Sequence, residues 1–208
     1  ARYTVDTDYL ESMKNILDQE DSIIYIGIGG FTNLAHFIER HPDEAKKMNI
    51  FLMGGAINYE RQQDWVEYNI RIDPVSAQKV IGSGLDIKLV MAQTTHNPLY
   101  VVDATHIFYE KLKSSSKPGH QLLYQHCKLW FENRGHGTSM HDPLTVAAAL
   151  GYDFPIFHSS KISMNEKNKF VLDDNGSLVS WSDPQSNAQA CMDLIYKTLF
   201  QSQDRRVV

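Results

Sequence analysis

The sequence predicts an α/β protein built on an open, mostly parallel, Rossmann-like sheet flanked by helices. Three observations predict it. Short runs rich in β-branched residues alternate with stretches of helical spacing. The runs are apolar along their length, the pattern of strands covered on both faces. Two of them end directly in glycine, at Gly27-Ile28-Gly29-Gly30 and Met53-Gly54-Gly55, and alternation with short glycine-rich joints argues a parallel, doubly wound sheet.

The elements follow in order. Residues 6 to 19 start at a cap, Asp6 or Thr7, and place Leu10, Met13, Ile16 and Leu17 at helical spacing. Ser22 to Ile26 is a buried strand, and Thr32 to Glu39 a helix that stops near His41-Pro42. A second cycle runs from a strand at Ile50 to Met53, through a polar loop, to a helix from Asp73-Pro74 to about Ile81. Its aspartate caps and its proline takes the first helical position. Ile87 to Met91 is a third strand. Leu99 to about Leu112 and Gln121 to about Phe131 read as helices, separated by a loop at Ser114 to Gly119. Their dense aromatics (Tyr100, Phe108, Tyr109, Tyr124, Trp130, Phe131) read first as core and second as the wall of a ligand site. Asp142 to Leu150 is a further helix, Ser160 to Trp181 holds two or three short strands around Asp173-Asp174-Asn175-Gly176, and Ser186 to Phe200 is a final helix before a frayed tail. With no internal repeat and no boundary, residues 1–208 are expected to form one domain.

Bulk properties exclude several classes. A chain of 208 residues with 42% hydrophobic content can bury a substantial core. A net charge of −5 with scattered lysines and arginines offers no phosphate-tracking face, so no nucleic-acid partner is expected. No apolar run approaches the roughly 20 residues that cross a bilayer, and no signal peptide opens the chain, so no membrane partner is expected. Cys127 and Cys191 lie in no CxxC pair; two buried thiols in a reducing cytoplasm is the simple reading.

In open parallel sheets ligands bind beyond the carboxyl ends of the strands, and the candidate residues stand there. The turn Gly27 to Gly30 lacks dinucleotide spacing and a Walker lysine. Met53 precedes Gly54-Gly55, which permit close backbone approach. Glu67 and Asn69 are two apart, so on an extended segment both side chains point the same way. Carboxylate and amide together match the hydroxyls of a sugar, although a plain surface loop also explains them. Asp142 before Pro143 makes an N-cap, and equally a hard oxygen ligand if a cation lies nearby. His141 beside it could act as a general acid near neutral pH. His96, His126, His136 and His158 have no ligand spacing, so zinc is not expected.

Taken together, these segments resemble the nucleoside hydrolases of the inosine-uridine preferring type. Gly29-Gly30-Phe31-Thr32-Asn33-Leu34-Ala35 resembles the family's Gly-Pro-Leu-Thr-Asn-Leu-Ala turn, and Met53-Gly54-Gly55-Ala56 its Met-Gly-Gly strand end. Glu67-Tyr68-Asn69-Ile70 with Asp73-Pro74 resembles Glu-Phe-Asn-Ile followed by Asp-Pro. Ser83-Gly84, Thr95-His96 and His141-Asp142-Pro143-Leu144 complete the set in order, and the similarity runs from Val5 almost to Phe200, over the family's later two thirds. The resemblance implies hydrolysis of the N-glycosidic bond of ribonucleosides to ribose and free base, assisted by a calcium ion. Asp142 and the backbone carbonyl at about Ile28 would be metal ligands, and Met53, Glu67 and Asn69 would meet the ribose. His141 would protonate the leaving base, which slightly favours purines. A homo-oligomer, dimer or tetramer, is compatible with the family.

Three departures shape the expectation. The family's opening Asp-x-Asp-x-Gly-x-Asp-Asp is not in this chain, and Asp6-Thr7-Asp8 does not replace it. The resemblance thus implies an N-terminally truncated fold without its first strands. Arg61 stands where the family often has a sugar-binding asparagine, with Asn58 on the same loop, and Gln93 replaces a residue seen just after the third strand. This chain alone is therefore expected to be weakly active or inactive. The alternatives are a non-catalytic nucleoside- or sugar-binding protein and a remnant completed by a partner.

Overall fold

The structure, a computed structural model, describes residues 8–59 and 61–201. Helix α1 (Tyr9–Gln19) is capped by Asp8, whose carboxylate accepts from the Glu11 N–H; Asp6 and Thr7, the expected caps, lie outside the described residues. Strand β1 (Ile23–Gly27) leads to α2 (Thr32–Arg40). Pro42 then opens a further short helix, α3 (Pro42–Ala45), from its first turn. Strand β2 (Met48–Met53) is followed by α4 (Tyr68–Arg71) and α5 (Pro74–Ile81), the latter capped by Asp73 as its sequence predicts. Strand β3 (Ile87–Val90) gives way to the single turn α6 (Ala92–Thr95).

The expected helix over Leu99 to Leu112 is not one element. A 3₁₀ turn (Pro98–Tyr100) and strand β4 (Val101–Val102) precede α7 (Ile107–Ser114). The physical reason is local: Val101 and Val102 pair with Thr138 and Ser139, and the Asp103 carboxylate then takes the Thr105 N–H and hydroxyl, turning the chain. Helix α8 (Pro118–Arg134) begins inside the expected loop because Pro118 suits a first helical position. Strand β5 (Thr138–Ser139) and α9 (His141–Ala149) follow. The expected strands around Asp173 to Gly176 are β6 (Phe157–Met164), β7 (Phe170–Leu172) and β8 (Ser177–Ser182). Helix α10 (Ala188–Tyr196), capped by Asn187, runs into a π turn at Lys197–Gln201.

The main sheet has the order β1-β2-β3-β8-β6-β7. The first four strands are parallel, while β6 runs antiparallel to β8 and β7 to β6. A mostly parallel sheet is thus observed. The strand order does not reverse within its parallel part, so the described residues contain no switch point of the doubly wound kind. Both faces are nevertheless covered at the central strands β2 and β3, whereas β1, expected to be buried, lies at the sheet edge with Ile24 51% exposed. Ile50 and Leu52 of β2 join Leu34, Phe37, Ala77 and Val80 of α2 and α5 in one core cluster. Phe51 points the other way, with Leu144, Ala147, Cys191 and Met192 of α9 and α10 in a second. This double burial explains why the strands read as continuous apolar runs. Parallel pairing also brings the carboxyl ends of β1, β2, β3 and β8 to one edge of the sheet, where the candidate residues gather.

Candidate active site

Beyond β2 the chain turns through Gly54 and Gly55. A Cβ on Gly54 would lie 3.1 Å from the Phe31 ring, and one on Gly55, where φ is +77°, would run into the Phe170 ring. Both positions need glycine for close approach. Glu67 and Asn69 then return to this turn, though not along an extended segment as expected. Glu67 is the N-cap of α4, and Asn69 lies in its first turn. Helix geometry lets the two do different work. The Glu67 carboxylate accepts from the Gly55 N–H at 3.1 Å and the Ile70 N–H at 3.2 Å, while the Asn69 amide donates to the Met53 carbonyl at 3.0 Å and to its sulfur at 3.3 Å. Both side chains are 7% exposed. Burial pushes the Glu67 carboxyl above its usual range, and the backbone donors around it only partly offset this. Met53, Glu67 and Asn69 thus form one hydrogen-bonded unit at the end of β2.

His141 and Asp142 occupy the first turn of α9, whose cap is Met140. Asp142 is therefore not the cap. The helix starts two residues earlier than a cap at Asp142 requires, which places the carboxylate in the first turn, where the helix dipole favours a negative charge. Burial pushes its carboxyl above the usual range. His141 Nδ1 lies 2.5 Å from the hydroxyl of Thr95, a fully buried residue at the end of α6. Its ring meets the His96 ring edge-on at 5.1 Å, and His96 Nδ1 in turn lies 3.1 Å from the Tyr59 hydroxyl. Trp65 packs on both Tyr59 and His96. This aromatic chain links the loop before Glu67 to His141, and Gly55, Tyr59, Trp65, Glu67 and Phe170 line a small cavity there. Burial first, and the Arg61 charge second, push His141 down to about 4. His96 is pushed down to about 4 by burial, then by His141 and Arg61. Both imidazoles are neutral near pH 7.

Sequence reasoning gave no role to Thr95, Tyr59, Trp65 or His96. The signal that marks Thr95 and His96 is their place after the third strand, the same rule that marks Met53. Ser182, at the carboxyl end of β8, was also missed: its hydroxyl accepts from the Met91 N–H at 2.9 Å and lies 2.7 Å from the Thr94 hydroxyl, locking α6 to the sheet. Gln93 donates to the Met91 sulfur, and its side-chain oxygen is buried without a partner among the described residues.

Ile28 follows β1 at the same sheet edge and is 47% exposed. An Asp142 carboxylate and an Ile28 carbonyl are hard oxygen donors of the kind calcium takes, and a half-buried carboxyl with no ion-pair partner among the described residues suits a cation. The two supply part of the roughly six to eight oxygens calcium needs. Among the described residues no three His, Cys, Asp or Glu side chains gather in a metal-binding group, and no helix is long and apolar enough to cross a membrane.

Residues 2–201 match the family described as inosine-uridine preferring nucleoside hydrolase. The chain is similar to the pyrimidine-specific ribonucleoside hydrolase RihA of Escherichia coli (strain SMS-3-5 / SECEC), 26% identical over 144 residues that cover 66% of this chain and 45% of that protein. A probable ribonucleoside hydrolase of Dictyostelium discoideum is 25% identical over 186 residues, 85% of this chain and 54% of that one. The chain therefore spans about half the length of these curated relatives. Among solved structures, a plant nucleoside hydrolase, PpNRh1, superposes with a TM-score of 0.80 at 21% identity, over 97% of this chain and 70% of that one. A purine-preferring ribonucleoside hydrolase from Gardnerella vaginalis gives 0.79 at 17%, over 92% and 65%. At these identities the structures speak for the fold alone.

Proposed function

Because the chain belongs to the inosine-uridine preferring nucleoside hydrolase family, we propose that its site serves hydrolysis of the N-glycosidic bond of ribonucleosides. Water adds to the anomeric carbon, the bond to the base breaks, and ribose and free base leave. The observation that carries this reading is the buried unit of Met53, Glu67 and Asn69 at the carboxyl end of β2. A carboxylate buried against its own ionisation is costly to keep and is characteristic of functional sites. Here Glu67 and Asn69 would take the ribose hydroxyls and Met53 would lie under the sugar, with the departing base directed toward His141 and the Tyr59, Trp65 and His96 rings. In a neutral imidazole, one ring N–H can meet an acceptor on the base.

Asp142 and the Ile28 carbonyl would hold the calcium ion, which when bound orders the ribose diol and makes water more acidic. The opening aspartate motif of the family is not in this chain, so we place the general base outside its residues and expect weak or no turnover from this chain alone. The free thiols Cys127 and Cys191 fit a reducing cytoplasm. The test is release of base from inosine and uridine by the purified chain, with calcium and with excess chelator. At most slow, calcium-dependent release is expected. Fast release that survives the chelator would contradict the metal assignment and the view that the general base is missing.

A further inference from the structure

The hydroxyl of Thr95 has one proton and two candidate acceptors. His141 Nδ1 lies at 2.5 Å, and the Ala92 carbonyl at 3.4 Å, the limit for a hydrogen bond. That carbonyl already accepts the His96 N–H at 2.8 Å. The short contact to the ring is therefore the better use of the proton. Thr95 is fully buried, so water does not compete for its hydroxyl. A neutral imidazole carries a single N–H, and the bond made at one nitrogen decides which nitrogen keeps it. The other nitrogen, Nε2, has no partner among the described residues, while the His96 ring packs edge-on against the imidazole at 5.1 Å and limits its rotation.

We propose that Thr95 is a positioning residue for His141: its hydroxyl donates to Nδ1, holds the ring in place and leaves the imidazole N–H on Nε2. The consequence rests on the functional reading above. A fixed Nε2–H addresses a lone pair on the departing base, such as a ring nitrogen or a carbonyl oxygen next to the glycosidic bond. His141 then acts as a ready hydrogen-bond donor whose direction is set before the ligand arrives.

The tautomer can be read without any activity. In protein labelled with ¹⁵N-histidine at pH 8, where an ordinary imidazole is neutral, two-bond ¹H–¹⁵N correlations distinguish the two forms. The His141 signals are identified by their loss in His141→Gln. The wild type is expected to show a protonated Nε2 and an unprotonated Nδ1. Thr95→Val should convert this single pattern to averaged nitrogen shifts, and Thr95→Ser should restore it. A wild-type ring protonated on Nδ1 would overturn the proposal, as would an unchanged pattern in a folded Thr95→Val protein. Should the valine variant not fold, the wild-type spectrum decides alone. The functional reading fails separately: the expected tautomer in a folded chain that does not bind inosine keeps the Thr95 assignment and removes the functional reading.

Discussion

Glu67 sits where ionisation is costly, and that cost has a measurable sign. Burial raises its folded pKa above the ordinary value of 4.5. As pH rises through the interval between the two values, the unfolded chain releases its proton first, so the folded state binds more protons and stability falls. Glu67→Gln keeps an oxygen to accept from Gly55 and Ile70 but cannot ionise. The variant is expected to gain stability relative to wild type as pH rises from acid toward neutral, measured by urea unfolding at a series of pH values. A difference constant with pH would refute the assignment. His96 and His141 carry the opposite sign. Their folded values near 4 lie below the ordinary 6.5, so between the two the unfolded chain binds more protons, and stability falls as pH drops from about 6.5 toward 4. A His96→Gln, His141→Gln double variant should flatten that slope in the same experiment. At this scale the sequence displayed Glu67, Asn69 and His141 because they sit in short motifs. It displayed Thr95 in a motif but not its contact with His141, and it concealed Tyr59 and Trp65, because packing between a loop, α6 and α9 leaves no periodic trace. It also misdirected the geometry of Glu67-x-Asn69, since two residues of helix and two of strand look alike over so short a span.

Among elements, α5 is the best-signalled piece of the chain, and its cap reaches beyond its own helix. The Asp73 carboxylate accepts from the Ser76 N–H at 3.1 Å and from the Thr32 hydroxyl at 2.5 Å. It thereby joins the starts of α5 and α2, the pair that covers one face of the sheet. Asp73→Ala is expected to cost about 1–2 kcal/mol, seen as a fall of a few degrees in Tm, whereas Asp73→Asn should lose less. An alanine variant as stable as wild type would show that the cap is redundant. Elements with a proline or turn signal, α2 and α5 by their prolines and β6 to β8 by the turn at Asp173 to Gly176, were legible in order and approximate extent. The region from Pro98 to Ser114 was not, because the two-residue β4 is held by its partner β5 rather than by its own pattern. The cap expected at Asp142 lies two residues earlier, at Met140, for a related reason: a first-turn aspartate and a capping aspartate have the same composition around them.

For the molecule as a whole, the parallel order of β1, β2, β3 and β8 gathers the polar groups at one sheet edge, and that arrangement was readable from apolar runs ending in glycine. The antiparallel addition of β6 and β7 and the unreversed strand order were not, since strand order depends on contacts far apart in sequence. The central claim is that this edge binds a ribonucleoside through Glu67 and Asn69. The most direct measurement is calorimetric titration of inosine into the folded chain and into Asn69→Asp, with calcium present. The account predicts binding by the wild type and at least a tenfold weaker affinity in the variant, about 1.4 kcal/mol. Equal affinity in both, or no binding by a folded wild-type chain, would contradict it.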